Sequence, residues 1–134
     1  GIDQPVAVAV SNAAGTGPLT GVVQISAGDQ HTCALLVGGE AQCWGRADHG
    51  QLGAGSRLGD PDHNLRSRPV TVRNETDTGP LTGIAEISAG GMHTCARLDN
   101  GEARCWGSNW QGPLGDGTSE TISRLPRVVV APEP

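Results

Sequence analysis

The sequence predicts an all-β fold: two four-stranded antiparallel blades of a partial β-propeller. Three observations predict it. The first is repetition: GPLTG at Gly17–Gly21 returns at Gly79–Gly83, 62 residues on, and residues 17–53 and 79–115 agree at 23 of 37 positions without a gap. The second is composition. Gly fills 21 positions, Phe, Tyr and Lys are absent, and three Trp are the only aromatics. Gly with Val, Ile and Thr points to short strands and tight turns rather than to a helical bundle. The third is periodicity: no apolar run persists at i, i+3, i+4, i+7. A fixed period of this size marks a repeat architecture, and four short strands with a Gly-rich corner and a Trp make a propeller blade.

The first extended segment of each unit is Val22–Ala27 and Ile84–Ala89, each broken by the Gly that follows. The second is Thr32–Leu36 and Thr94–Leu98, the third Glu40–Trp44 and Glu102–Trp106. The fourth is Val70–Arg73 and Arg127–Val130, opened by Pro where a strand edge tolerates it. Pro-Val-x-Val also stands at Pro5–Val8, so Pro5–Val10 is expected to be the fourth strand of a blade other than the one that follows it. A start inside such a strand, behind Gly1, is what a piece cut from a longer chain would show. The organisation is therefore one repeat domain over 1–134: blade one about 17–73, blade two about 79–130, and 1–16 a strand of a neighbouring blade plus linker. The slack between units lies in loops, above all the insertion Ala54–Arg68.

A three-residue hairpin loop joins the second and third strands, Asp99-Asn100-Gly101 in one unit and Val37-Gly38-Gly39 in the other. Gly at its end suits a left-handed residue. That loop sets Leu36 against Glu40 and Cys33 against Cys43, and likewise Leu98 against Glu102 and Cys95 against Cys105.

The runs ISAGDQHTCAL…GGEAQCWGRADHGQLGAG and ISAGGMHTCARLDNGEARCWGSNWQGPLGDGT resemble the regulator of chromosome condensation repeat. The positions that carry the resemblance are Gly28, His31, Gly39, Trp44, Gly45, Gly50, Gln51, Leu52 and Gly53, with Gly90, His93, Gly101, Trp106, Gly107, Gly112, Leu114 and Gly115 in the second copy; Pro113 departs from the usual Gln. The resemblance covers about residues 5–130 and implies blades of a ring that usually has seven, of which this chain holds two. The Cys-bearing variant resembles bacterial exported members of the family, and a related propeller inhibits β-lactamases by protein–protein contact.

The net charge is −5 and the Arg are scattered, which argues against a phosphate-binding surface and hence against nucleic acid. No stretch approaches the roughly 18–20 apolar residues that cross a membrane, so no membrane partner is expected. Opposed cross-strand cysteines suit a disulfide, Cys33–Cys43 and Cys95–Cys105, never Cys33–Cys95. Free core thiols and metal ligation are the alternatives; zinc sites favour shorter paired spacings. Disulfides imply an oxidising compartment, hence an extracellular, cell-surface or periplasmic location. No signal peptide is present, so export rests on the cysteines alone.

His31 and His93, which follow Gly-rich turns, and Trp44 and Trp106 recur as blade-packing residues. Trp110 has no counterpart, since Asp48 stands there, and is a candidate partner contact, as is the loop cluster Asp60, Asp62 and His63, which could also hold a cation. Asn74-Glu75-Thr76 is a glycosylation sequon. No G-x-S-x-G, P-loop or H-E-x-x-H motif is present, so no catalytic residue, metal or cofactor is expected. The leading functional expectation is a non-catalytic protein-binding module presenting loops to a partner. A structural unit that completes a ring with further blades or by homo-oligomerisation is the second, and a propeller-based lyase or hydrolase the third.

Overall fold

A computed structural model of the chain describes residues 7–55, 65–108 and 122–129. Within them the chain forms two four-stranded antiparallel sheets, each a meander in sequence order. Blade one holds β1 (Val22–Ala27), β2 (His31–Leu36), β3 (Ala41–Arg46) and β4 (Leu65–Thr71). Blade two holds β5 (Ile84–Ala89), β6 (His93–Leu98), β7 (Ala103–Ser108) and β8 (Ile122–Val128).

β1 and β5 have the bounds the sequence predicts. The β2–β3 register is the predicted one, with Cys33 opposite Cys43 and the Leu36 N–H donating to the Glu40 carbonyl at 2.8 Å. The hairpin closes because Gly39 and Gly101 adopt φ of 88° and 90°, the left-handed region that other residues avoid. The second, third and fourth strands differ from expectation, the third starting at Ala41 and Ala103 rather than at Glu40 and Glu102. β2 and β6 begin one residue early, at His31 and His93, because these residues pair with Gly45 and Gly107 and draw β3 and β7 past the Trp. The fourth strands begin at Leu65 and Ile122, not at the residue after Pro. Pro69 and Pro126 do not open them. Cys43 pairs with Val70 and Gly45 with Arg66, so Trp44 alone opposes residues 67–69. The bulge takes the proline, which has no N–H to give, out of the ladder.

The corner after each fourth strand is built twice in the same way. Asn74 accepts the Thr78 N–H through Oδ1 at 2.9 Å, its own N–H donates to the Gly79 carbonyl, and Leu81 N–H donates to the Val72 carbonyl. Asn12, Thr16, Gly17, Leu19 and Val10 make the same three bonds at the front of the chain. Residues 7–10 join no strand, and both edges of β3 are taken, by β2 and β4. Pro5, Val6 and Val130 lie outside the described residues.

The two blades stack with β5 of blade two against β1 and β2 of blade one. The core lies in this seam and includes Cys33, Leu35, Leu52, Ile84, Ile87 and Trp106, all less than a tenth exposed. Burying a side chain the size of Ile87 contributes about 1.5–3 kcal/mol, and the alternation of each strand supplies such residues to both faces of the sheet.

Candidate functional site

β5 is an edge strand of its own sheet, so its outward N–H and C=O groups need partners once the blades stack. Side chains of β1 supply them. The Gln24 carboxamide clips Ile87 from both ends, accepting its N–H at 3.0 Å and donating to its carbonyl at 2.7 Å. The Ser26 hydroxyl oxygen accepts the Ala89 N–H at 2.9 Å.

Below this clip lies a chain of buried groups. The Thr94 hydroxyl donates to the Gln51 carbonyl at 2.8 Å, so it accepts from His31, whose Nε2 stands 2.8 Å away. The proton of His31 is thereby placed on Nε2, and Nδ1 is buried with no hydrogen-bond partner. Burial, and then the neighbouring His93, hold the His31 pKa below its ordinary value. The same Gln51 carbonyl accepts the Trp106 indole N–H at 2.9 Å. The indole lies so close to Gly53 that a Cβ there would sit 2.7 Å from Nε1, and Gly53 itself has a φ of +68°.

The four repeated packing residues thus fall in two situations. His31 and Trp106 are buried in the seam; Trp44 and His93 are half-buried on the two faces that the stack leaves open. The Sγ atoms of Cys33 and Cys43 are 2.10 Å apart and those of Cys95 and Cys105 2.04 Å, both at disulfide distance. The first pair is sealed in the seam with no exposure, whereas Cys95 is half-buried on the open face of blade two. Trp110, Asp60, Asp62 and His63 lie outside the described residues. Among the described residues no three His, Cys, Asp or Glu come together as a metal would require.

Two features escaped the sequence reading. The Gln24 clip is one; its counterpart is Glu86, so comparing the repeats passes over it. The other is a loop cluster after β3. Arg46 holds Asp48 through two bonds of 2.9 and 2.7 Å, and His49 Nδ1 lies 3.0 Å from the same carboxylate. The Arg46 bonds hold the Asp48 pKa down at about 2. Ser108, Trp110 and Gln111 occupy the matching places, so repetition gives no signal there. A groove of about 430 Å³ opens between the Asn74–Gly79 corner and β8, with Glu75 paired to Arg104 and Asp77 to Arg73 at its edge.

Comparison with known proteins places this geometry. A sequence model described as "Regulator of chromosome condensation (RCC1) repeat" matches residues 22–51 and 84–112, and a second model of the same description matches 39–97. The human E3 ubiquitin-protein ligase HERC2 is 37% identical over 113 residues, 83% of this chain but 2% of that protein. The ultraviolet-B receptor UVR8 of Arabidopsis thaliana is 35% identical over 96 residues, 72% of this chain and 20% of the receptor. Among solved structures, yeast RCC1 (Prp20) bound to Kap60 superposes with a TM-score of 0.68 at 23% identity, over 82% of this chain and 25% of that one. Human WBSCR16 superposes with a TM-score of 0.66 at 24% identity, over 81% and 25%. This chain therefore spans a quarter or less of each of these proteins.

Proposed function

The chain belongs to the regulator of chromosome condensation repeat family, and from that premise we propose that it is a non-catalytic protein-interaction module, a propeller segment that presents loops to a protein partner. The observation that carries this reading is where the repeats stop agreeing. The hairpin strands β2 and β3 match β6 and β7 at 9 of 12 positions, while the stretch that follows Trp-Gly changes at every position from Arg46, Ala47, Asp48, His49 to Ser108, Asn109, Trp110, Gln111. A scaffold held constant with loops varied is how binding surfaces are carried on rigid folds.

Blade one over about 17–73 and blade two over about 79–130 are the proposed units. Residues 1–16 are proposed as the tail and linker of a further blade, a reading supported by the duplicated Asn12 and Asn74 corners. The two cysteine pairs are compatible with an oxidising extracellular location, and we place the protein outside the cell, at its surface or in a periplasm. Prp20p from Saccharomyces cerevisiae is described as binding Gsp1p and histones; for this chain the proposed surface is its own loops, with Asp48, Asp60, Asp62, His63 and Trp110 as contacts. Capture of partner from the source organism's extracellular fraction tests it. Retention by the native chain and loss with Trp110→Ala or Asp48→Ala is expected. Equal retention by both variants rejects the loops.

A second reading, that further blades cover the open faces, is favoured by apolar exposure. Val23 is 59% and Ile25 60% exposed on β1, and contiguous bare apolar surface marks an interface.

A further inference from the structure

The seam between the blades is a template against which both open faces can be read. On its receiving side stand Ile87, Ala89, Gly90, Thr94 and Trp106 of blade two. At the same five places on its open face, blade one carries Ile25, Ala27, Gly28, Thr32 and Trp44, the same five residue types. On the offering side stand Gln24, Ser26, His31 and Leu35 of blade one. Blade two repeats Ser88 and His93 on its own open face but carries Glu86 for Gln24 and Arg97 for Leu35. The two changes are not independent, for Gln24 pairs across strands with Leu35, and Glu86 with Arg97.

The chemistry of the exchange opposes docking. The Gln24 amide brings one acceptor and one donor to the Ile87 backbone. An ionised Glu86 brings acceptors only, and in the same pose one of its oxygens would face the Ile25 carbonyl. Leu35 is 4% exposed in the seam. Arg97 in that position would carry a guanidinium into an apolar contact. In the structure Arg97 Nε stands 4.0 Å from Glu86 Oε1, with the two side chains 56% and 63% exposed. Covering that solvated pair with Val22, Val23 and Ile25 of another copy removes water from two charges and offers the guanidinium only apolar groups.

We propose that the Glu86–Arg97 pair excludes blade one of a second copy from the open face of blade two. The inference rests on the reading that further blades cover these faces. Without the exclusion, a head-to-tail contact leaves a free face at each end of a pair and recruits further copies until the assembly closes into a ring or grows as an open one. With the pair exchanged for the residues of blade one, the occupant of the face is a second copy of this chain.

The test is sedimentation equilibrium of the whole chain as Glu86→Gln/Arg97→Leu, carried to millimolar protein. Both residues are exposed, so the fold is retained, and circular dichroism checks it. The average mass of the double variant should rise with concentration, with association at least about tenfold tighter than that of the native chain. Adding Ile25→Asp should abolish the gain, and each single exchange should give part of it. Identical mass curves for the native chain and the double variant overturn the exclusion. A gain that survives Ile25→Asp also overturns it, because the contact is then elsewhere. A native chain that already associates through Ile25 overturns the exclusion while leaving the reading of covered faces standing.

Discussion

The carbonyl of Gln51 accepts the Thr94 hydroxyl and the Trp106 indole together, so two side chains of blade two hang from one atom of blade one. A carbonyl has two lone pairs, and both are used. Trp106→Phe removes one bond and leaves a void in a fully buried site, and should cost about 2 kcal/mol or more in urea unfolding. Trp44 occupies the same place in its repeat but is half-buried, and Trp44→Phe should cost less than about 1 kcal/mol. Equal losses would show that the seam does not distinguish the two residues. His31 carries a pH dependence whose sign follows from its lowered pKa. Above about pH 6.5 neither state binds the proton, and nothing is lost. Below it the unfolded chain takes a proton that buried His31 refuses, so stability falls until the pH reaches the folded pKa, then levels. His31→Gln should flatten this limb of the stability profile. An unchanged limb assigns it to another histidine. Asp48 acts lower, its contribution present above about pH 3.8 and lost as the pH falls to about 2. On a half-buried loop at the surface it amounts to about 1 kcal/mol or less.

At the scale of elements, what the sequence made legible was whatever the chain states twice. β1 and β5 were bounded as found because ISAG ends each, and the three-residue loop fixed the register that sets Cys33 against Cys43. The fourth strands were misplaced because Pro69 reads locally as a strand opening. Only the pairing with β3 shows that a bulge opposite Trp44 carries it inside the strand. The Gln24 clip was invisible for a related reason, since its bonds run 63 residues away to the backbone of the other unit and no side-chain pattern reports a backbone partner. The unequal burial of Trp44 and Trp106 could not be read from identical motifs, because it depends on the neighbour and not on the strand. The same inequality separates the cysteine pairs. Cys33 and Cys43 are sealed between blades, whereas Cys95 is half-buried on an open face. Under limiting dithiothreitol, Cys95–Cys105 should be reduced first, since exchange requires access to a sulfur. Alkylation mapped by mass would follow the order. Simultaneous reduction would mean that the seam opens as readily as the face.

Over the whole molecule, one stack of two blades gives strand residues of the seam twins on an open face, some of them of the same residue type. Ile87 is 1% exposed and Ile25 60%, although both stand in ISAG on the first strand of a four-stranded blade and pair with alanines, Ala96 and Ala34. Strand propensity, turn chemistry and in-sheet neighbours therefore cancel when the two are compared. Ile87→Ala removes buried methyl groups from the seam and leaves a cavity beneath Gln24, which should cost about 2–5 kcal/mol. Ile25→Ala trims a side chain already in water and should change stability by no more than about 0.5 kcal/mol. The comparison also reports on the state of the chain in solution. If the open face of blade one is bare, as the exclusion of a second copy requires, the Ile25 value stays small at every protein concentration. Were it to grow with concentration toward the Ile87 value, something would be covering that face, and in a purified sample the only candidate is another copy. Urea midpoints of both variants, measured at two protein concentrations a hundredfold apart, decide between these outcomes.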